Sequence, residues 1–201
     1  MRPITDLRTL SDLYEAPRAA SPTKVARRMT PLYRRWIEAS RFVILTTVGP
    51  EGTDASPRGD AGPVVRVAAD GRIHLPDWRG NNRLDSLRNI VRDDRVSLMF
   101  LVPGSANVVR VNGSAIVTAD AALCDGFAKG AHRPRTVIVA TPDELYFHCA
   151  KAIMRAGLWS SGNEADRIPS AGELVRERDP GFDAESYDAK YGSHARERMW
   201  S

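Results

Sequence analysis

The chain has 201 residues, of which 42% are hydrophobic and 27% charged, with a net charge of +4. Those values are ordinary for a soluble globular protein with one substantial core. Arginines lie scattered among acidic residues rather than in one basic block, which argues against a general nucleic-acid surface and fits an anionic small ligand as well. No apolar run approaches a membrane span, and MRPITDLRTLSDLYEA carries acidic residues where a signal peptide would be apolar, so no membrane association and a cytoplasmic location are expected. Cys124 and Cys149 lack CxxC or zinc spacing, and neither a disulfide framework nor a metal site is expected.

Residues 1–30 form an expected N-terminal arm, partly helical, with Pro3, Pro17 and Pro22 and an apolar pattern at Leu7, Leu10 and Leu13. Thr30 and Pro31 are the N-cap and first-turn residues of a firmer helix carrying Leu32, Trp36 and Ile37. Phe42 to Val48 is a β-rich run whose continuity suggests burial on both faces, and Gly49 to Gly52 make a turn. Val64, Val65 and Val67 predict a strand, followed by an Asp70-Gly71 hairpin turn. After Phe100 the run VVRVNGSAIVTA reads as a strand with a bulge or kink at Asn112 and Gly113. Thr136–Thr141 and Glu144–Ala150 are two further strand candidates. Many short strands, tight turns and few helices give a mainly β, α+β fold built on a small antiparallel barrel. Residues 161–201 are polar with spaced apolar residues (Leu174, Phe182, Tyr187, Tyr191, Trp200), a pattern expected of a tail that packs on the body or on a partner subunit.

The most informative stretch is RIHLPDWRGNNRLDSLRNIVRDDRVSLMFL, Arg72 to Leu101. Its order is strand, polar loop, short helix, strand. Leu84, Leu87, Ile90 and Val91 supply one helical stripe, and Val96, Leu98 and Phe100 alternate as in a strand. Asn81 or Asn82 is placed to cap the helix, and the orphan N–H groups at a helix start attract anions. Arg79 and Arg83 flank that point and suit bidentate phosphate binding. Ordinary solvated capping explains the same residues, so at this level both readings stand.

SPRGD (Ser56–Asp60), LPDWRGNNRLDSLRNI (Leu75–Ile90), VSLMFLVPG (Val96–Gly104) and RVNGSA (Arg110–Ala115), in this order, resemble the pyridoxamine 5'-phosphate oxidase-like, FMN-binding split-barrel family. HCAKAIMRAGLW, His148–Trp159, resembles a segment of uncharacterised bacterial members of that family. The resemblance spans roughly residues 35–160, and residues 31–160 are taken as the split-barrel domain. It implies a six-stranded antiparallel FMN-binding split barrel that forms a homodimer, with FMN between the subunits. It places Arg83 at the cofactor phosphate with Asn82 beside it. Ser56, Arg58, Gly59 and Asp60 would run along the flavin ring and ribityl chain, and Leu75, Pro76 and Asp77 would lie under the ring.

Two departures set the vitamin oxidases' own reaction aside. Val108 stands where they place a glutamine, and their C-terminal Arg, His, Asp cluster has no counterpart here. In its place come His148, Cys149, Ala150 and Lys151, then Arg155 and Trp159. Lys151 and Arg155 share one helix face by spacing and, with Trp159, either shape the open face of the flavin from the partner subunit or are solvated structural residues. Neighbours in a strand face opposite ways, which disfavours His148 and Cys149 as a catalytic pair. Catalytic residues are not identified. The sequence thus points to an FMN-binding oxidoreductase acting on a small molecule of unknown identity. A nicotinamide-dependent flavin reductase, a deazaflavin-using enzyme and a non-catalytic flavin- or haem-binding module stay open.

Overall fold

The structure is a computed structural model that describes residues 1–16 and 20–200; Pro17 of the expected arm lies outside them. Its elements in chain order are α1 (Leu7–Asp12), α2 (Ala20–Thr23), α3 (Pro31–Ala39), β1 (Phe42–Gly49), β2 (Gly52–Gly59), β3 (Arg66–Val67) and β4 (Ile73–Asp77). There follow α4 (Asp85–Arg92), β5 (Arg95–Leu101), β6 (Val108–Thr118), α5 (Ala121–Gly126), β7 (Thr136–His148), α6 (Lys151–Ala156), α7 (Ala171–Arg178) and α8 (Ala184–Glu197). All seven strands make one antiparallel sheet in the order β2-β1-β5-β6-β7-β4-β3. The expected fold of antiparallel sheet with flanking helices is the one observed; six strands have five residues or more, and the seventh is the two-residue β3.

One face of the curled sheet makes the core. Val43 and Leu45 of β1, Ile73 and Leu75 of β4, Leu98 and Phe100 of β5, Val109 and Val111 of β6, and Ile138 and Leu145 of β7 are all buried. Removing side chains of this size from water contributes roughly 1.5–3 kcal/mol each. Helix α3, begun at Thr30, whose hydroxyl accepts from the Tyr33 N–H (3.3 Å), drives Ile37 into this core. On the opposite face, α5 covers part of β7 with a small cluster of Cys124, Phe127, Val137 and Val139. Burial pushes the Cys124 thiol pKa up, which suits an inert packed residue.

Several local expectations change. β1 is buried on alternate residues only, with Phe42 exposed and Ile44 and Thr46 half-covered, so its apolar run does not lie between two layers. Val64 and Val65 are buried without belonging to a strand: the Val64 N–H donates to the Ser40 carbonyl (2.9 Å), and only Arg66 and Val67 pair with β4. The two candidates at 136–141 and 144–150 are one strand, β7, ending at His148. Its pairing with β6 shifts between Asn112 and Gly113, and the extra residue is Asp143 on β7. Gly113 is required there, because a Cβ would lie 2.0 Å from the Thr141 carbonyl oxygen.

Neither Asn81 nor Asn82 caps α4. The N-cap is Leu84, left-handed at φ 61° and without a side-chain cap, while the Asn81 side chain accepts from the Arg83 N–H one turn earlier (3.1 Å). The helix therefore buries Ser86 and Ile90, and Leu84 and Val91 of the predicted stripe are exposed. Residues 161–200 hold two helices in mutual contact, α7 and α8, the first opened by a Ser170/Glu173 capping box. No helix among the described residues is long and apolar enough to cross a membrane.

Candidate functional site

The sheet is open between its edges, and a cavity of about 870 Å³ lies in that split. Three pieces build it. The edge strand β2 contributes 54–59, the end of β4 and the following loop contribute 75–84, and α4 contributes Asp85, Ser86 and Leu87; Val64, Arg135 and Thr136 complete the lining. β2 lacks β-branched and aromatic residues except Thr53, and it is a strand because β1 pairs with it along its whole length. That pairing places Asp54, Ser56 and Arg58 opposite the buried Thr47, Leu45 and Val43, on the cavity side.

Arg58 spans the split. Its Nη1 pairs with the Asp77 carboxylate, both side chains largely buried, and its Nε donates to the Ser56 hydroxyl (3.0 Å). Across the cavity the Ser86 hydroxyl donates to Asp54 (2.9 Å), tying α4 to β2. Arg83 lies at the rim, with Nε on Asp85 (2.9 Å) and its side chain 75% exposed, leaving its terminal nitrogens outward. Asn82 (φ 59°) and Leu84 (φ 61°) on either side of it are the two left-handed residues other than glycine among the described residues. Such backbone costs about 1 kcal/mol or more per residue and concentrates where ligands are gripped.

The lining has four arginines, Arg58, Arg79, Arg83 and Arg135, against three aspartates, Asp54, Asp77 and Asp85. Arg58 and Arg83 are paired to Asp77 and Asp85. Arg79 and Arg135 have no carboxylate partner among the described residues. Val64, Leu75, Pro76 and Leu87 supply an apolar wall, and Trp78 stands between that wall and the arginines along the chain. Two buried polar atoms in this lining lack a hydrogen-bond partner, the Trp78 indole Nε1 and the Thr136 hydroxyl. The cavity thus offers an apolar wall, orphan polar groups and a cationic rim, the equipment for an elongated ligand with an aromatic body and an anionic end.

Of the residues singled out in the sequence, Ser56, Arg58, Gly59, Leu75, Pro76, Asp77, Asn82 and Arg83 line this one cavity. Asp60 does not: its carboxylate is 7% exposed and paired with Lys129. Lys151, Arg155 and Trp159 also lie outside the cavity of the single chain. The first two are on α6, and the Trp159 indole donates to the Ser105 carbonyl (2.7 Å). Sequence reasoning missed Trp78, Arg135 and Thr136. No local motif marks the last two; the register Asp77↔Thr136 of the β4–β7 pair brings them to the loop that follows Asp77. Among the described residues no group of three or more His, Cys, Asp or Glu side chains is gathered to hold a metal.

The profile of the pyridoxamine 5'-phosphate oxidase family matches residues 29–149. No curated protein matches the chain in sequence. Similar solved structures include HupZ of Group A Streptococcus, 16% identical, with 58% of this chain and 91% of that one covered and a TM-score of 0.47. General stress protein 26 of Bacillus anthracis is 17% identical over 56% of this chain and 88% of its own, with a TM-score of 0.42. An F420 reductase is 17% identical over 58% and 98%, with a TM-score of 0.44.

Proposed function

Because the chain belongs to the pyridoxamine 5'-phosphate oxidase family, we propose that the cavity in the split of its barrel holds FMN and that the protein is an oxidoreductase acting on a small molecule. The observation that carries this reading is the pairing, in one cavity, of an apolar shelf at Leu75 and Pro76 with the cationic rim of Arg79 and Arg83. The residues present fit the group. Arg83, Asn82 and Arg79 would hold the phosphate, whose dianion suits guanidinium donors. Ser56, Arg58 and Gly59 would follow the ribityl chain and ring edge, and Leu75, Pro76 and Asp77 would support the ring. The orphan Trp78 N–H and Thr136 hydroxyl are the polar groups whose partners a heteroaromatic ligand would supply.

When bound, the flavin would supply the redox chemistry, and the protein's part is placement and water exclusion. Arg58, fixed by Asp77, keeps the two edges of the split at one spacing and so sets the width of the ring site. Asp60, committed to Lys129, has no part in this reading. In a homodimer, Lys151, Arg155 and Trp159 of the partner subunit would close the open face of the cofactor. Val108 is 7% exposed and packed, not a ring-contacting amide, which is why the family's name is not taken as the reaction.

The test is a titration of the purified protein with FMN, read by flavin fluorescence and absorption, followed by a screen of reductants for repeated bleaching and reoxidation. Binding with turnover supports the reading, and Arg83→Glu should weaken FMN affinity by at least about a hundredfold with the fold intact. A parent protein that neither binds nor turns over FMN overturns it.

A further inference from the structure

Asp60, Lys129, Trp78 and Trp200 come from four separated parts of the chain and meet at one edge of the cavity. The Lys129 ammonium pairs with the buried Asp60 carboxylate and lies 3.5 Å from the Trp200 ring centroid and 5.5 Å from that of Trp78. The two indoles meet edge to face, centroids 5.4 Å apart and planes at 74°. Lys129 is itself anchored, since its backbone exchanges two hydrogen bonds with His132 (2.8 and 3.1 Å). Trp78, which lines the cavity, directly precedes the arginine and left-handed residues of the rim.

Resting on the flavin reading above, we propose that Trp200 is a positioning residue of the ligand site: the segment after α8 reaches back to hold Trp78 against Lys129 and so fixes the wall beside the ring. A cation over an indole face and an edge-to-face indole pair are each attractive, and the Asp60 carboxylate keeps the ammonium where both rings use it. Without Trp200 the Trp78 ring loses one neighbour and gains rotameric freedom, and a flat ligand then has to order it on binding. Arg83 at the phosphate end is held independently of this packing, by Asp85 and Asn81.

The experiment compares FMN with riboflavin, which lacks the phosphate, on the full chain and on Trp200→Ala, Trp200→Phe and Arg83→Glu, alongside far-ultraviolet circular dichroism. Trp200→Ala should weaken both ligands by the same factor, about tenfold, and abolish the exciton couplet of the edge-to-face indoles. Trp200→Phe should restore most of the affinity, since a phenyl edge still packs on Trp78, and Arg83→Glu should weaken FMN alone. Unchanged affinities in Trp200→Ala, or a loss confined to FMN, overturn the positioning role. A couplet that survives in Trp200→Ala overturns the packing itself, whichever ligand binds. A parent that binds neither flavin while showing the Trp200-dependent couplet overturns the flavin reading and confines Trp200 to the packing of Trp78.

Discussion

His148 is a residue whose surroundings make the stability of the fold depend on pH. It closes β7, with Arg110 Nη1 3.2 Å from its Nε2, Asn107 donating to its backbone carbonyl (2.9 Å), and the Tyr146 ring 5.5 Å away. Arg110 can only donate, so the imidazole nitrogen facing it is the accepting one and the ring is neutral. Burial, then the charges of Arg110 and Lys24, hold its pKa below the ordinary histidine value. His74 is shifted the same way by burial and Arg72. A base whose folded pKa is depressed binds its proton more readily unfolded, so the folded state carries no penalty above the unfolded value near 6.5. It loses stability as pH falls through the folded pKa. Melting temperature should therefore drop from neutral to mildly acidic pH, and His148→Gln should flatten that slope, leaving the part due to His74. Parallel slopes for parent and variant would sink the idea.

Among the elements, the β6–β7 ladder is where the sequence was most and least legible at once. Asn112 and Gly113 in a β-rich run marked the irregularity, because glycine weakens a strand unless something approaches it closely. The approaching group, the Thr141 carbonyl, was invisible, since it lies on another strand and the extra residue is there. Gly113→Ala should cost about 2–3 kcal/mol in a denaturant titration, as the Cβ would meet backbone that cannot rotate away. A cost below about 0.5 kcal/mol would mean the bulge tolerates a side chain. The same division between local and non-local information runs through the site. Arg83, Asn82, Leu75 and Pro76 sit beside motifs and line the cavity; β2 carries no strand signal of its own and takes its conformation from β1. Arg135 reaches the cavity only through the register of β7. Asp60 entered the expected site with the Ser56–Asp60 segment that carries the resemblance, and its partner Lys129, which it pairs with outside the cavity lining, is far away in sequence. The polar stretch after residue 161 hid two helices because capping and charge, rather than an apolar stripe, define them.

For the molecule as a whole, the outer side of the sheet is the face on which the proposed homodimer can be tested. Helix α5 covers the outer face along part of β7, while Ile44 of β1, Met99 and Leu101 of β5 and Arg110 of β6 on that face are half-buried in the single chain. The registers align Phe42 with Leu101, and Ile44 with Met99 and then Arg110, so apolar side chains form cross-strand rows there, bordered by the Arg110 guanidinium over Tyr146. Phe42 is 38% and Ile116 59% exposed on this face. Apolar rows bordered by arginine and tyrosine have the composition of an interface core and its rim. A two-fold dimer through this face buries each row against its own copy. Met99→Asp would set a carboxylate in that contact without touching the inner core, whose β5 members are Val96, Leu98 and Phe100. Light scattering should find the parent as a dimer and Met99→Asp as a folded monomer, with association weakened by at least about a hundredfold. FMN affinity should fall in the same variant if the partner's α6 segment closes the cofactor site. A variant that stays dimeric rejects this face as the interface. One that becomes monomeric yet binds FMN as tightly as the parent leaves the interface standing and confines the cofactor site to a single chain.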